Sequence, residues 1–260
     1  MTLPGEGFAI ECRQTSNHQF RPQGAAHGYD TLMKRYAIGD IHGGSKTFQA
    51  LIRRINPRYD DRIYLLGDYI DRGPDSKGVL ETIISMQEAG CDIRPIRGNH
   101  EDMLIRNLTG DHDLYSWAWV ENWGQRTLFS FGVKRPEDLP VRYRKFLAGL
   151  PYCLEEEDFI FVHAGLNLGL DDPVRDTPAE QMVWERSYIP ESGPAFMQRV
   201  VCGHRVCTLD AARQSLHEQI IQIDNGAFTN QQPEHGNLLA LNLDTMELVE
   251  QPWIDRKAVW

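Results

Sequence analysis

The chain reads as an α/β fold in which two mixed β-sheets stack between flanking helices. Three observations predict it. Short apolar strands alternate with amphipathic helices from Tyr36 onward, three successive strands run into a Gly-Asp or Gly-Asn motif, and the last third returns to strands of antiparallel character. With 260 residues, the chain is long enough to bury a large core without a disulfide scaffold. Residues 34–260 are taken as one domain and residues 1–33 as an extension preceding it. The extension is rich in Gly, Gln, Pro and His and lacks periodicity, so His18 and His27 read as solvated.

Tyr36-Ala37-Ile38 is a short buried strand ending just before Asp40. Phe48, Leu51, Ile52 and Ile55 then fall at i, i+3, i+4 and i+7, one face of a helix. Ile63 to Leu66 is continuously apolar, as in a strand covered on both faces, and it ends before Asp68. Val79, Leu80, Ile83 and Ile84 line a second helix, and Ile93 to Ile96 form a third strand ending near Asn99 and His100. Each βα unit thus places a motif past a strand's C-terminal end, where open α/β sheets bind ligands. The stretch from about 101 to 150 reads as helical, with Trp117, Trp119 and Trp123 assigned to helix packing. Phe159 to Val162 leads into His163 and Val200 to Cys202 into His204. Ile220 to Ile223, Leu238 to Leu243 and Leu248-Val249 read as closing antiparallel strands, and Glu155 to Asp158 as a solvated loop.

The formal net charge of −10 disfavours a nucleic-acid partner, because an acidic surface repels a phosphate backbone. No apolar run approaches the roughly 18 residues needed to cross a bilayer. The first residues lack a basic region followed by an apolar stretch, so no secretory signal and no membrane partner are expected. The five cysteines show no CxxC spacing, which favours inert thiols in a reducing, cytoplasmic compartment.

The informative residues lie in five short motifs: Gly39-Asp40-Ile41-His42-Gly43, Gly67-Asp68-Tyr69-Ile70-Asp71-Arg72-Gly73, Gly98-Asn99-His100-Glu101, His163-Ala164-Gly165 and Gly203-His204-Arg205. Each supplies a carboxylate, an imidazole or an amide oxygen beside a glycine. Attack on a phosphate ester is helped by two cations roughly 3.5–4 Å apart. Carboxylate oxygen with imidazole nitrogen suits mid-series divalent metals. Any one of these residues alone could be a turn former or a cap, but their joint order points to a dinuclear phosphoesterase. Asp224-Asn225-Gly226 reads as a turn, and His112, His217 and His235 lack motif context.

The five motifs resemble the phosphoprotein phosphatase family of serine/threonine phosphatases, most closely its short bacterial and phage members, over roughly residues 35–230. That resemblance implies a metallophosphoesterase-type α/β/β/α sandwich. Asp40 and His42 would hold a first metal, Asp68 would bridge, and Asn99, His163 and His204 would hold a second. Two divalent ions are implied, manganese first, with iron or zinc also suited. The resemblance makes His100 the acid for the leaving alcohol and Asp71 the group that orients it. Arg72 and Arg186 would grip the phosphate, with Asn99 beside it. Attack would come directly from a hydroxide between the two ions, without a covalent intermediate. The implied substrate is phosphoserine or phosphothreonine in a protein or peptide.

This sequence departs from the pattern in two places: Gly44 stands where the family often has Cys, and Asn122-Trp123-Gly124 stands where short members read N-G-G. The bulky Trp123 leaves substrate preference open. An alternative on the same scaffold is hydrolysis of dinucleoside polyphosphates, although those enzymes usually lack the Asp71-Arg72 pair and tend toward Asp at Glu101. A general phosphomonoesterase stays open. A non-catalytic phosphoprotein binder ranks lowest, since no ligand and no acid is missing.

Overall fold

In the computed structural model, residues 33–110, 112–185, 198–229 and 233–255 are described. The proposed extension lies outside them apart from Met33. A first sheet starts with three parallel strands, β1 (Arg35–Ile38), β2 (Arg62–Leu65) and β3 (Asp92–Pro95). They are linked by α1 (Ser45–Ile55) and α2 (Ser76–Glu88). The expected apolar faces are the buried ones: Phe48, Leu51 and Ile52 on α1, and Val79, Leu80, Ile83 and Ile84 on α2. The Asp75 carboxylate caps α2 by accepting the Gly78 N–H at 2.9 Å.

After β3 the chain is helical, as expected: α3 (Asn99–Thr109), α4 (His112–Glu121), α5 (Gly124–Phe131) and α6 (Val141–Ala148). It then enters a second sheet through β4 (Cys153–Glu155) and β5 (Phe159–Val162), an antiparallel pair. The short helices α7 (Pro173–Asp176) and α8 (Ala179–Trp184) precede β6 (Arg199–Cys202), and α9 (Leu209–Ser215) precedes β7 (Ile220–Gln222). The remaining strands, β8 (Asp224–Asn225), β9 (Asn237–Asn242) and β10 (Glu247–Pro252), return to the first sheet. Its main order is β10-β9-β1-β2-β3, with β8 also paired to β9.

β9 and β10 are antiparallel, as the sequence predicts, but the segment from Ile220 is not. It runs parallel to β6, because α9 carries the chain back across the sheet before β7 begins. Glu156 corrects a second expectation. It is half-buried, with Arg62 at 3.2 Å and Arg94 at 2.5 Å, and so ties the second sheet's β4–β5 turn to the first sheet.

Between the sheets lies an apolar layer that includes Ala37, Tyr64, Leu66, Ile96, Phe161, Val201, Ile221 and Leu239. Tyr64 and Phe161 stack across it with ring centroids 3.8 Å apart. Cys153, Cys202 and Cys207 are free thiols, whereas Cys91 is disulfide-bonded, so the cysteines support no assignment of compartment. No helix among the described residues is long and apolar enough to cross a membrane.

Candidate metal centre

The loops leaving β1, β2, β3, β5 and β6 converge, and Asp40, His42, Asp68, Asn99, His163 and His204 are all buried there. Backbone geometry aims them. His42, Asp68, Asp71, Arg72 and His204 all have positive φ, between 45° and 67°. Such left-handed backbone is costly for a side chain and concentrates at functional sites. Gly203 is required by close approach, since a Cβ there would collide with the Asp40 carboxylate. Glu101, in the first turn of α3, accepts the N–H groups of Gly98 (2.9 Å), Asp68 (2.8 Å) and Tyr69 (2.8 Å). It thereby locks the second motif to the third.

Asp68 is central. Its Oδ1 is 3.4 Å from His163 Nε2, and its Oδ2 is 3.5 Å from His42 Nε2 and 3.8 Å from His100 Nε2. Asn99 Oδ1 lies 2.9 Å from His163 Nε2 and 3.0 Å from His204 Nδ1. Asp40 lies 3.9 Å from His42 Nε2, and its carboxylate accepts the His204 N–H at 3.1 Å. Two groups of potential donors result, His42/Asp68/His100 and Asp68/His163/His204, each with atoms within 4.8 Å of one another. The sequence assigns Asp40 to the first group and His100 to proton transfer, so the grouping by distance differs at that one place.

Carbonyls fix two of the imidazoles. His163 Nδ1 is 2.7 Å from the Leu66 carbonyl and His42 Nδ1 is 3.2 Å from that of Ile70. If Nδ1 carries the proton in each, Nε2 is left facing the centre as a lone pair, the arrangement of a metal-ligating histidine. Buried charge shifts the titrations accordingly. Burial alone would raise Asp68, but His163, His100 and His42 hold it well below the usual carboxylate range. Burial and the neighbouring Asp224 push Asp40 well above that range. Burial would lower His163, yet Asp68 and Asp40 push it up to about 10. Burial and Asp68 raise Glu101 to about 7.

His100 Nδ1 is 2.7 Å from Asp71 Oδ2, while its Nε2 is buried and without a hydrogen-bond partner among the described residues. Asp71 is itself held on every side. Trp119 Nε1 donates to Oδ2 at 2.8 Å, and Thr127 Oγ1 donates to Oδ1 at 2.5 Å. The Asp71 N–H lies 3.0 Å from both the Ser76 and the Thr127 hydroxyls. Arg72 reaches His42 Nε2 at 3.2 Å, and its guanidinium sits 4.5 Å over the Phe228 ring. Arg186 lies outside the described residues.

Trp119, Thr127, Phe228 and Asp224 escape a motif reading. Only their distant partners give Trp119 and Thr127 a role, and nothing in their own segments signals it. Asp224 reads as a turn, yet it is buried in β8, accepts the Gly226 N–H at 2.8 Å and acts electrostatically on Asp40.

A symmetrical bis(5'-nucleosyl)-tetraphosphatase from Vibrio parahaemolyticus is 29% identical over 147 residues, 52% of this chain and 46% of that protein. The curated relatives of this name align over less than half of their own length. A crystal structure described as a candidate diadenosine tetraphosphatase superposes with a TM-score of 0.63 at 19% identity, covering 87% of this chain and 96% of that one. A Saccharomyces cerevisiae serine/threonine phosphatase similar to human phosphatase PP5 gives 0.58 at 14% identity, covering 87% and 82%. At these identities the two structures establish the fold alone. A family model described as calcineurin-like phosphoesterase matches residues 33–210, from β1 through the His204 motif. The chain therefore belongs to the calcineurin-like phosphoesterase family, hydrolases that work with divalent metal ions.

Proposed function

We propose that the chain is a two-metal hydrolase of dinucleoside polyphosphates, the reading that ranks second on sequence alone. The observation that carries the two-metal part is Asp68, whose two oxygens face different groups of donors. The buried carboxylates and the inward-facing imidazole nitrogens of His42 and His163 fit divalent cations. Asp40, His42 and Asp68 would hold one ion, and Asp68, Asn99, His163 and His204 the other. When bound, such ions draw charge from phosphoryl oxygens and lower the pKa of water.

The chain's own residues supply the rest. Arg72, steadied by Phe228, binds phosphate oxygens with its planar fork. Asp71 keeps His100 oriented, so that Nε2 delivers a proton to the departing oxygen. The substrate reading draws on the tetraphosphatase names of the matched relatives.

A second reading, hydrolysis of phosphoserine and phosphothreonine, is favoured by the Asp71–His100 pair. An alkoxide leaving group needs a proton far more than a nucleoside diphosphate does. To separate the two, the protein is stripped with chelator, reloaded with Mn²⁺ and given diadenosine tetraphosphate or a phosphoserine/phosphothreonine peptide mixture. Faster cleavage of the dinucleotide to ADP supports the first reading. Release of phosphate from peptides alone replaces it with the second.

A further inference from the structure

Trp123 occupies the turn between α4 and α5 with its side chain 56% exposed and its backbone at a φ of 68°. Left-handed backbone favours glycine, and an exposed indole gains little from burial, so the stability of the fold calls for neither feature. The residue is nevertheless tied to the metal centre. The Arg126 guanidinium sits 4.9 Å from the Trp123 ring centroid, and its Nη1 donates to the Arg72 carbonyl at 2.5 Å. Arg72 in turn touches His42. Next in sequence, Gly124 admits the Trp119 indole, which would collide with any Cβ there, and Trp119 reaches Asp71. The two tryptophans thus stand one turn apart, Trp119 buried against Asp71 and Trp123 exposed against Arg126, which holds the Arg72 carbonyl. Trp117 and Phe129 are also exposed, at 65% and 64%.

We infer that Trp123 is the stacking platform for the nucleobase of a nucleoside polyphosphate whose phosphates lie at the metal centre. This rests on the nucleotide reading proposed above and deepens it. A cation against one indole face leaves the opposite face for a base, and base–aromatic stacking tolerates any base because each presents a π-face. Arg126 adds positive charge between that platform and the Arg72 backbone. Phosphoserine and phosphothreonine carry no flat group of their own to stack on such a surface.

The test compares ADP with inorganic pyrophosphate binding to the Mn²⁺-loaded protein by calorimetry. Wild-type protein should bind ADP more tightly than pyrophosphate. Trp123→Gly should weaken ADP about tenfold, within the range measured for one stacked base, and shift pyrophosphate less than about twofold. Trp123→Phe, which keeps a ring, should recover most of the loss. Glycine suits the backbone here, so the variant is expected to fold, and circular dichroism checks that it does. Equal affinity for ADP and pyrophosphate in the wild type, or equal weakening of both by Trp123→Gly, overturns the inference. A protein that stacks ADP through Trp123 yet leaves diadenosine tetraphosphate intact upholds it and overturns only the proposed reaction.

Discussion

At His100 the two ring nitrogens have opposite surroundings: Nδ1 is bound to Asp71, while Nε2 is buried without a hydrogen-bond partner among the described residues and faces Asp68 at 3.8 Å. A group placed to donate a proton should matter in proportion to the basicity of what leaves. His100→Asn is therefore expected to lower kcat for alkyl phosphates by about 10²–10⁴-fold and for nitrophenyl phosphate far less, as measured across a leaving-group series. An equal loss on every substrate, accompanied by lost metal, would make His100 a ligand. His163 yields a pH prediction. Its folded-state pKa of about 10 lies above the ordinary histidine value, so in metal-free protein its stabilising contribution is fully present below about pH 6.5 and is lost as pH rises toward 10. Because a metal must displace that proton, Mn²⁺ affinity should rise by up to about tenfold per pH unit over the same window. Titration calorimetry in buffers of different ionisation enthalpy would register the released proton. These residues are readable in the sequence because each lies within two residues of a glycine just past a strand. Asp224 is not, since a buried aspartate before Asn-Gly has the same letters as a surface turn.

At the scale of elements, α4 and α5 hold Asp71, the partner of His100. Trp119 is almost fully buried and Thr127 is buried, and both spend their donors on Asp71. Trp119→Phe leaves one Asp71 lone pair unsatisfied, at a cost of about 1–3 kcal/mol by chemical denaturation. It should also slow poor leaving groups more than good ones, which a purely structural loss would not do. The turn between these helices makes the opposite prediction. Relief of left-handed strain in Trp123→Gly, about 1 kcal/mol at the low end of such costs, should raise Tm by about 2–4 °C. A fall in Tm would mean that the Arg126 contact outweighs the strain. The helical character of this region is legible from composition, but its purpose is not. A hydrogen bond from Trp119 to a residue 48 positions away leaves no local periodicity to read.

For the whole molecule, the two sheets place five loops at one end, and no single element contains the site. Apolar strands that each end in a motif made the first three βα units legible, down to the buried faces of α1 and α2. The parallel course of β7 was not, because strand direction depends on where α9 returns the chain, and three apolar residues record nothing of that. Anomalous diffraction from Mn²⁺-loaded crystals would show whether Asp68 joins two metal ions. The account predicts two peaks roughly 3.5–4 Å apart, one at Asp40 and His42 and one at Asn99, His163 and His204, with Asp68 touching both. A single peak, or a pair that Asp68 does not bridge, would contradict it.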